Sequence, residues 1–251
     1  MTRKIAIITG GSRGLGANAA LKLAARDTDL ILTYKKDSDA ANAVVARAAE
    51  LGAKAVALQL DTGSVSGFAP FAKQVQEALE QWGVKQFDIL INNAGMGINA
   101  AFSDVTEEQF DALMNVHLKG VFFLTQALVL LMADGGRILN VSSGLTRFAL
   151  PGHSVYASMK GAIEVLTKYL AKELGPRGIA VNVLAPGAIE TDFGGGAVRD
   201  NKQVNAFIAS QTALGRVGLP DDIGDVIAAL VSDDCRWVNA QRIEASGGMF
   251  V

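Results

Sequence analysis

Short runs of aliphatic and β-branched residues alternate with stretches of helical apolar spacing, and this alternation constrains the fold more than any other feature. The runs are Ile5–Thr9, Leu30–Tyr34, Ala55–Leu60, Phe87–Ile91, Arg137–Val141 and Ile179–Leu184, with a seventh near Gln241–Ala245. Strands that are apolar throughout are buried on both faces, and short strands alternating with helices pair in parallel. The helical patterns cover Leu15–Arg26, Ala40–Leu51, Phe68–Trp82, Glu107–Met132 and Ser154–Leu174. Asp104 or Thr106 is placed to cap the fourth, and Gly52, Gly83 and Gly175 are placed to end helices. The chain has 251 residues, 50% of them hydrophobic, with only 5 prolines and no repeat or Pro/Ser-rich linker to mark a boundary. One α/β domain over residues 1–251 is expected: a doubly wound, three-layer fold on a seven-stranded parallel sheet.

Composition narrows the partners. The net charge is −2, aromatic residues make up 6%, and no basic run stands out, which argues against nucleic acid or an anionic membrane. A single cysteine, Cys235, precludes an intrachain disulfide and suits a reducing cytoplasm. The apolar start Met1-Thr2-Arg3-Lys4-Ile5-Ala6-Ile7-Ile8 is too short for a signal sequence and soon meets Gly10, Gly11 and Arg13, so it reads as a strand. The longest apolar stretch, Val121 to Ala133, contains Thr125 and Gln126 and is too short to cross a bilayer. A soluble cytoplasmic protein is expected.

In a doubly wound sheet, ligands bind beyond the carboxyl ends of the strands, where strand order reverses. Strand one runs into Thr9-Gly10-Gly11-Ser12-Arg13-Gly14-Leu15-Gly16. Glycines here permit a tight turn and let backbone amides approach a pyrophosphate at a helix N-terminus. In a chain with 27 glycines the bare pattern also fits a structural turn; its place between the first strand and first helix makes it specific. Strand two ends at Thr33-Tyr34-Lys35-Lys36, with no acid before Asp37 to bind a ribose 2′-hydroxyl. Two lysines there, with Arg13 in the glycine turn, predict NADP(H), with Arg13, Lys35 and Lys36 around its 2′-phosphate. Strand three ends in Leu60-Asp61-Thr62, where Asp61 can accept from an adenine amine. Strand four ends in Asn92-Asn93-Ala94-Gly95, whose small residues let the backbone pass close to a cofactor, although turn chemistry accounts for Asn and Gly equally well.

Tyr156 and Lys160 lie one helical turn apart on one face of a predicted helix. A phenol has a pKa of about 10; an ammonium about 4 Å away at an effective dielectric of about 20 attracts the phenolate by roughly 4 kcal/mol, or about three pKa units. That predicts a tyrosine able to trade protons near neutrality. Alone, the spacing also occurs on solvated helices.

Taken together, Thr9-Gly10-x-x-x-Gly14-x-Gly16, Asp61, Asn92-Asn93-Ala94-Gly95, Asn115, Ser143, Tyr156-x-x-x-Lys160 and Pro186-Gly187 resemble the short-chain dehydrogenase/reductase family. The resemblance covers essentially the whole chain and includes the tail, Arg216 to Asp222 and Ser246-Gly247-Gly248. It implies a Rossmann-type fold and roles for single residues. Ser143 would hydrogen-bond the substrate carbonyl, with Ser142 facing the other way. Tyr156 would protonate the carbonyl oxygen, and Lys160 would lower the Tyr156 pKa and bind the nicotinamide ribose. Asn115 would interrupt its helix and hold a water. Gly10, Ser12, Arg13, Gly14, Leu15, Gly16, Tyr34, Asp61, Thr62, Asn93, Ala94 and Gly95 would line the cofactor. Pro186, Gly187, Ile189 and Thr191 would wall its nicotinamide. No metal is needed. Members of the family are usually homotetramers, and the resemblance implies packing through the Glu107–Met132 and Ser154–Leu174 helices and the C-terminal region.

Met96, Gly97, Leu145, Phe148, His153 and Phe193 are expected around the substrate, with about 187–215 as its loop and Gly194, Gly195 and Gly196 as a hinge. The other histidine, His117, reads as packing. Apolar walls suggest a small-molecule ketone or aldehyde, reduced with NADPH, or the reverse alcohol oxidation. The alternative is a 3-oxoacyl-carrier-protein reductase, but Leu130 to Gly136 has no base and contains Asp134, leaving Arg177 as a basic contact for a carrier protein. A non-enzymatic NADP-binding sensor or scaffold is the remaining class; such proteins lack the Tyr/Lys pair or the serine.

Overall fold

A computed structural model describes residues 3–251; Met1 and Thr2 of the expected first segment lie outside it. Chain order is β1 (Lys4–Ile8), α1 (Gly14–Ala24), β2 (Thr28–Tyr34), α2 (Ser38–Glu50), β3 (Ala55–Gln59), α3 (Phe68–Gln81), β4 (Phe87–Asn92), α4 (Glu107–Met114), α5 (Gly120–Leu128), β5 (Met132–Val141), α6 (Ser154–Leu174) and β6 (Ala180–Pro186). Then follow α7 (Ala197–Asp200), α8 (Lys202–Ser210), α9 (Pro220–Leu230) and β7 (Arg242–Ala245). Among the described residues the strands form a 7-stranded sheet in the order β3-β2-β1-β4-β5-β6-β7, every pairing parallel. Strand order reverses between β1 and β4, the expected ligand-binding crevice.

The strands are apolar on both faces because helices cover both. In β1, Ala6 and Ile8 pack with α1, α2 and α9, whereas Ile5 and Ile7 pack with α3, α5 and α6. Each fully buried Ile or Leu in these strands contributes roughly 1.5–3 kcal/mol. A buried polar ladder crosses the second face. Asn92 donates to Thr125 Oγ1 at 3.1 Å and to Asn140 Oδ1 at 2.8 Å, and Asn140 donates to Thr167 Oγ1 at 2.9 Å. It ties α5 and α6 to β4 and β5 just below their carboxyl ends, so Asn92 is a structural group with its side chain turned into the core.

Several expected boundaries change. Thr106, not Asp104, caps α4, in a reciprocal capping box with Gln109. The helix from Glu107 is not uniform: Asn115–Lys119 forms a π turn between α4 and α5, and a 3₁₀ turn ends the run at Leu131. The whole run, Glu107–Leu131, is 25 residues long and apolar enough to cross a membrane, longer than the Val121–Ala133 stretch suggested. Here Leu124 and Leu128 are core residues, and Thr125 holds the polar ladder. After α6 the chain continues through a 3₁₀ turn, and Gly178 at φ 68°, not Gly175 at φ −52°, reverses it. Two helices inside 187–215, and α9, lie outside the predicted elements; α7 is a single turn, too short to show a period.

Candidate active site

At the switch point the glycine turn is fastened to the end of β4. Asn93 Nδ2 donates to Thr9 O at 2.9 Å and Gly10 O at 3.2 Å, and Thr9 Oγ1 accepts the amides of Asn93 and Ala94 at 3.0 and 2.9 Å. A Cβ on Gly16 would sit 2.2 Å from Gly10 O, so only glycine lets the first turn of α1 close onto the loop. Arg13 occupies the N-cap of α1 without a side-chain cap, and no acid lies in the first turn. In contrast, α2 is capped by Asp37 and α4 by Thr106. The uncapped amides and the helix dipole at α1 therefore suit a pyrophosphate, with Ser12, Gly14 and Leu15 beside them.

Around this turn the structure gathers the other expected cofactor residues. Tyr34 ends β2, and its carbonyl accepts from Leu60 at 2.8 Å. Lys35, Lys36 and Arg13 are exposed. Lys35 Nζ pairs with Asp61 Oδ2 at 2.8 Å, while Asp61 Oδ1 accepts the Gly63 amide at 2.9 Å. Both Asp61 oxygens are thus engaged within the protein, and Lys35 reaches a phosphate only by leaving a half-exposed ion pair, which is worth little to keep. Thr62 follows on the same turn. On the opposite side, Gly187 donates to Ala245 at 3.0 Å, Ile189 bridges to Gly218, and Thr191 approaches Gly14.

Ser143, Tyr156 and Lys160 meet below, with Asn115 on the helix run that packs on α6. Asn115 heads the π turn, half-buried, and a π turn of this kind inserts one residue and redirects the side chains around it. Tyr156 is 9% exposed and Lys160 5%. Lys160 Nζ donates to Val141 O at 2.7 Å and sits 5.6 Å from the Tyr156 ring centroid. Ser143 follows β5; its Oγ accepts the Leu145 amide at 3.2 Å and also faces the Tyr156 phenol. Ser142 turns the other way, donating to Glu164 Oε1 at 2.7 Å.

The electrostatics correct one expectation. Burial pushes the Tyr156 phenol up to about 12, opposed only by the Ser143 hydroxyl, and burial pulls Lys160 down to about 7. The ammonium does not lower the phenol as simple Coulomb attraction suggests, because desolvation penalises both charged forms and Lys160 is directed to a carbonyl. The phenol keeps its proton at neutral pH.

His117 packs against this site. It is 1% exposed, meets the Tyr156 ring edge-on at 5.1 Å, and lies 2.7 Å from Met96 O through Nε2. Burial, reinforced by the Lys160 charge, lowers it to about 3, so it stays neutral and holds the Met96 wall. His153, at the N-cap of α6, reaches Asn99 at 3.2 Å, and burial also lowers its pKa. Phe193 leans over Tyr156, ring centroids 5.8 Å apart, and covers Gly97, where a Cβ would lie 3.2 Å from its ring. Phe148 stacks instead on Phe250 at 4.8 Å, a contact with the C-terminal end that spacing along the chain does not signal.

The chain is similar to known proteins along nearly its whole length. A family model described as enoyl-(acyl carrier protein) reductase matches residues 10–250. Tetrahydroxynaphthalene reductase PfmaG of Pestalotiopsis fici is 37% identical over 256 residues, covering 98% of this chain and 91% of its own. The angucycline C-6 ketoreductase LanV, solved with bound NADP, superposes with a TM-score of 0.93 at 37% identity, covering 98% of this chain and 95% of LanV. A short chain dehydrogenase from Burkholderia cenocepacia, solved in complex with NADP, gives 0.90 at 37% identity, covering 98% of each chain.

Proposed function

The chain belongs to the short-chain dehydrogenase/reductase family, and from that premise we propose that it is an NADPH-dependent ketoreductase of planar, ring-fused aromatic ketones. Its enzyme class, NADP(H)-dependent interconversion of carbonyl and alcohol, follows from reductase relatives aligned along nearly the whole chain. The observation that carries the finer reading is Phe193 leaning over Tyr156, with side-chain-free Gly97 beneath it. The two aromatic rings, tilted 54° to each other, offer apolar contact that suits an aromatic ketone better than a flexible acyl chain. The names of PfmaG and LanV agree, since their substrates are fused aromatic systems.

The uncapped N-terminus of α1 holds the pyrophosphate, Arg13 with Lys35 and Lys36 the 2′-phosphate, and Pro186, Gly187, Ile189 and Thr191 the nicotinamide side. Bound NADPH supplies the hydride. Tyr156 donates its phenolic proton to the carbonyl oxygen, which Ser143 also hydrogen-bonds, so the developing alkoxide is neutralised as it forms. A phenol near 12 is fully loaded for this donation. Lys160, near 7, exists in both protonation forms close to neutrality and resupplies the proton, with Asn115 on the solvent side. Residues 1–251 act as one dinucleotide-binding catalytic domain with 187–215 as its substrate loop. The exposed Phe122, Phe123, Val165 and Tyr169 on α5 and α6 support a homotetramer, and the lone Cys235 a cytoplasmic setting.

Carrier-protein reduction is less well supported. Arg177, the one base near its expected dock, is engaged by Asp134 at 2.8 Å and by the carbonyls of Val129 and Met132. Assaying NADPH oxidation with a bicyclic aryl ketone, a small aliphatic ketone and a 3-oxoacyl-carrier-protein tests the reading. The aryl ketone should give the highest kcat/KM, and a far faster thioester reaction would reverse the assignment. NADH outperforming NADPH at equal concentration would sink the cofactor reading.

A further inference from the structure

Helix α6 carries Tyr156, Lys160 and Glu164 at successive helical turns, on one face. Glu164 is outside the catalytic set, yet three donors converge on its Oε1: Ser142 Oγ at 2.7 Å, Thr146 Oγ1 at 2.6 Å and Arg242 Nε at 2.9 Å. The Arg242–Glu164 pair is largely sequestered, with side chains 25% and 18% exposed. The rest of the Arg242 guanidinium reaches Thr146 Oγ1 at 3.1 Å, Ser143 O at 3.4 Å and Glu244 Oε2 at 2.9 Å. Thr146 Oγ1 itself lies 2.9 Å from Ser143 O. Ser143 is therefore gripped from both sides. Its preceding residue is tied to Glu164, and its own carbonyl is bracketed by Thr146 and Arg242.

This arrangement has a mechanical consequence. Ser143 stands on the loop after β5, while Tyr156 stands on α6, and inside the pocket the Lys160–Val141 bond and the Ser143–Tyr156 contact join the two. Glu164 is on the same rigid helix as Tyr156 and holds the Ser143 loop through charge-assisted bonds, the strong and directional kind. Glu244 extends the chain outward: Arg147 donates to both its oxygens, at 2.9 and 2.6 Å, and to Phe250 O at 3.0 Å and Met249 O at 2.5 Å.

We propose that Glu164 and Arg242 are positioning residues that set the Ser143 hydroxyl against Tyr156, acting on turnover only through Ser143. The proposal rests on the reading of Ser143 as a substrate-carbonyl donor. Its cost follows from orientation: displacing a catalytic group by about 1 Å can lower rate about 100-fold.

The test is a double-mutant cycle on the full chain, measuring kcat and KM for an aryl ketone, NADPH affinity by fluorescence, and Tm. Glu164→Gln should lower kcat about 10- to 100-fold, with KM and NADPH affinity little changed. In a Ser143→Ala background the same change should shift kcat by about twofold or less, because the group it positions is gone. Arg242→Lys, which keeps the charge but loses the fork, should show the same coupling and serves if Glu164→Gln folds poorly. Equal losses in both backgrounds, or a wild-type kcat in both Glu164→Gln and Arg242→Lys, would overturn the proposal alone. A wild-type kcat in Ser143→Ala would overturn the underlying site reading and the proposal with it.

Discussion

Two regions face each other across the Tyr156 ring, and they are built on opposite principles. The floor, made by the end of β5 and by α6, buries its polar groups: Tyr156 is 9% exposed, Lys160 5%, and Lys160 is bonded to the Val141 carbonyl. The cover, residues 187–215, is anchored by Ile208, which packs with Val217 and Met249, while its outer part carries exposed ion pairs, Arg199 with Asp192 at 2.5 Å and with Asp200 at 2.7 Å. It also carries three consecutive glycines at positive φ, Gly194 at 63°, Gly195 at 74° and Gly196 at 77°, a backbone that other residues enter only under strain. Burial in the floor moves proton affinities by costing charge its solvation. Exposure in the outer part of the cover keeps its ion pairs weak. In the proposed mechanism chemistry belongs to the floor and recognition to the cover, and that division can be broken from either side.

The largest effect is expected at the floor. Tyr156→Phe removes the proton donor and should lower kcat about 10²- to 10⁴-fold in stopped-flow NADPH oxidation. NADPH affinity should be preserved, since the phenyl ring remains. Near-normal turnover would place the proton donor elsewhere and void the comparison.

Lys160, which the proposed mechanism also makes the proton supplier to Tyr156, gives the next test, read on stability. Its folded pKa of about 7 lies below its ordinary 10.5, so between those values the unfolded chain binds a proton that the folded chain does not. Stability of the cofactor-free protein must therefore rise as pH increases from about 7 towards 10.5, by on the order of a few kcal/mol. In Lys160→Met that rise should vanish. Chemical denaturation at pH 7 and pH 9.5 measures it, and parallel pH dependence in both proteins would contradict a desolvated lysine.

The two regions also differ in how far the sequence reveals them. The sheet was legible because β1, β2, β4 and β6 are apolar on both faces, and burial on both faces needs helices on both sides. Tyr156, Lys160 and Ser143 are found together because fixed spacing along α6 and a strand end bring them there. What escaped is set by partners far away in the chain. The Asn92–Asn140–Thr167 ladder joins residues from three elements, and nothing local marks Asn92 as a core group rather than a loop amide. Glu164 sits on a plain helical face until Arg242 arrives from β7. The raised phenol of Tyr156 was missed for the same reason: spacing gives the distance to a charge, whereas the dielectric around it depends on every residue packed nearby. In the cover, α7 is a single turn too short to show a period, whereas α8 carries the helical spacing Val204, Phe207 and Ile208.

At the cover, effects should fall mainly on recognition. Phe193→Ala removes the ring over Tyr156 and should raise KM for a bicyclic aryl ketone about tenfold, roughly 1.4 kcal/mol of lost contact, with kcat changed much less. A small aliphatic ketone should show no such penalty. A kcat loss comparable to that of Tyr156→Phe would move Phe193 from the cover into the chemistry.

The smallest effect, and the sharpest test of the cover's looseness, is expected at Arg199. Its partners Asp192 and Asp200 are about half exposed, so water and salt compete for every contact. Arg199→Ala should leave Tm within about 2 °C of wild type, because surface pairs contribute little to folding. It should raise KM for the aryl ketone about two- to threefold by populating open forms of the loop, a shift of the size that loss of a weak surface pair permits. The origin of that change is checked with salt. Raising ionic strength towards 1 M shortens the screening length to about 3 Å and should reproduce the variant's KM in the wild type, while leaving the variant nearly unmoved. If the variant's KM proved as salt-sensitive as the wild type's, the salt effect would have to act elsewhere, and the ion pairs of the cover would no longer explain how it closes over Tyr156.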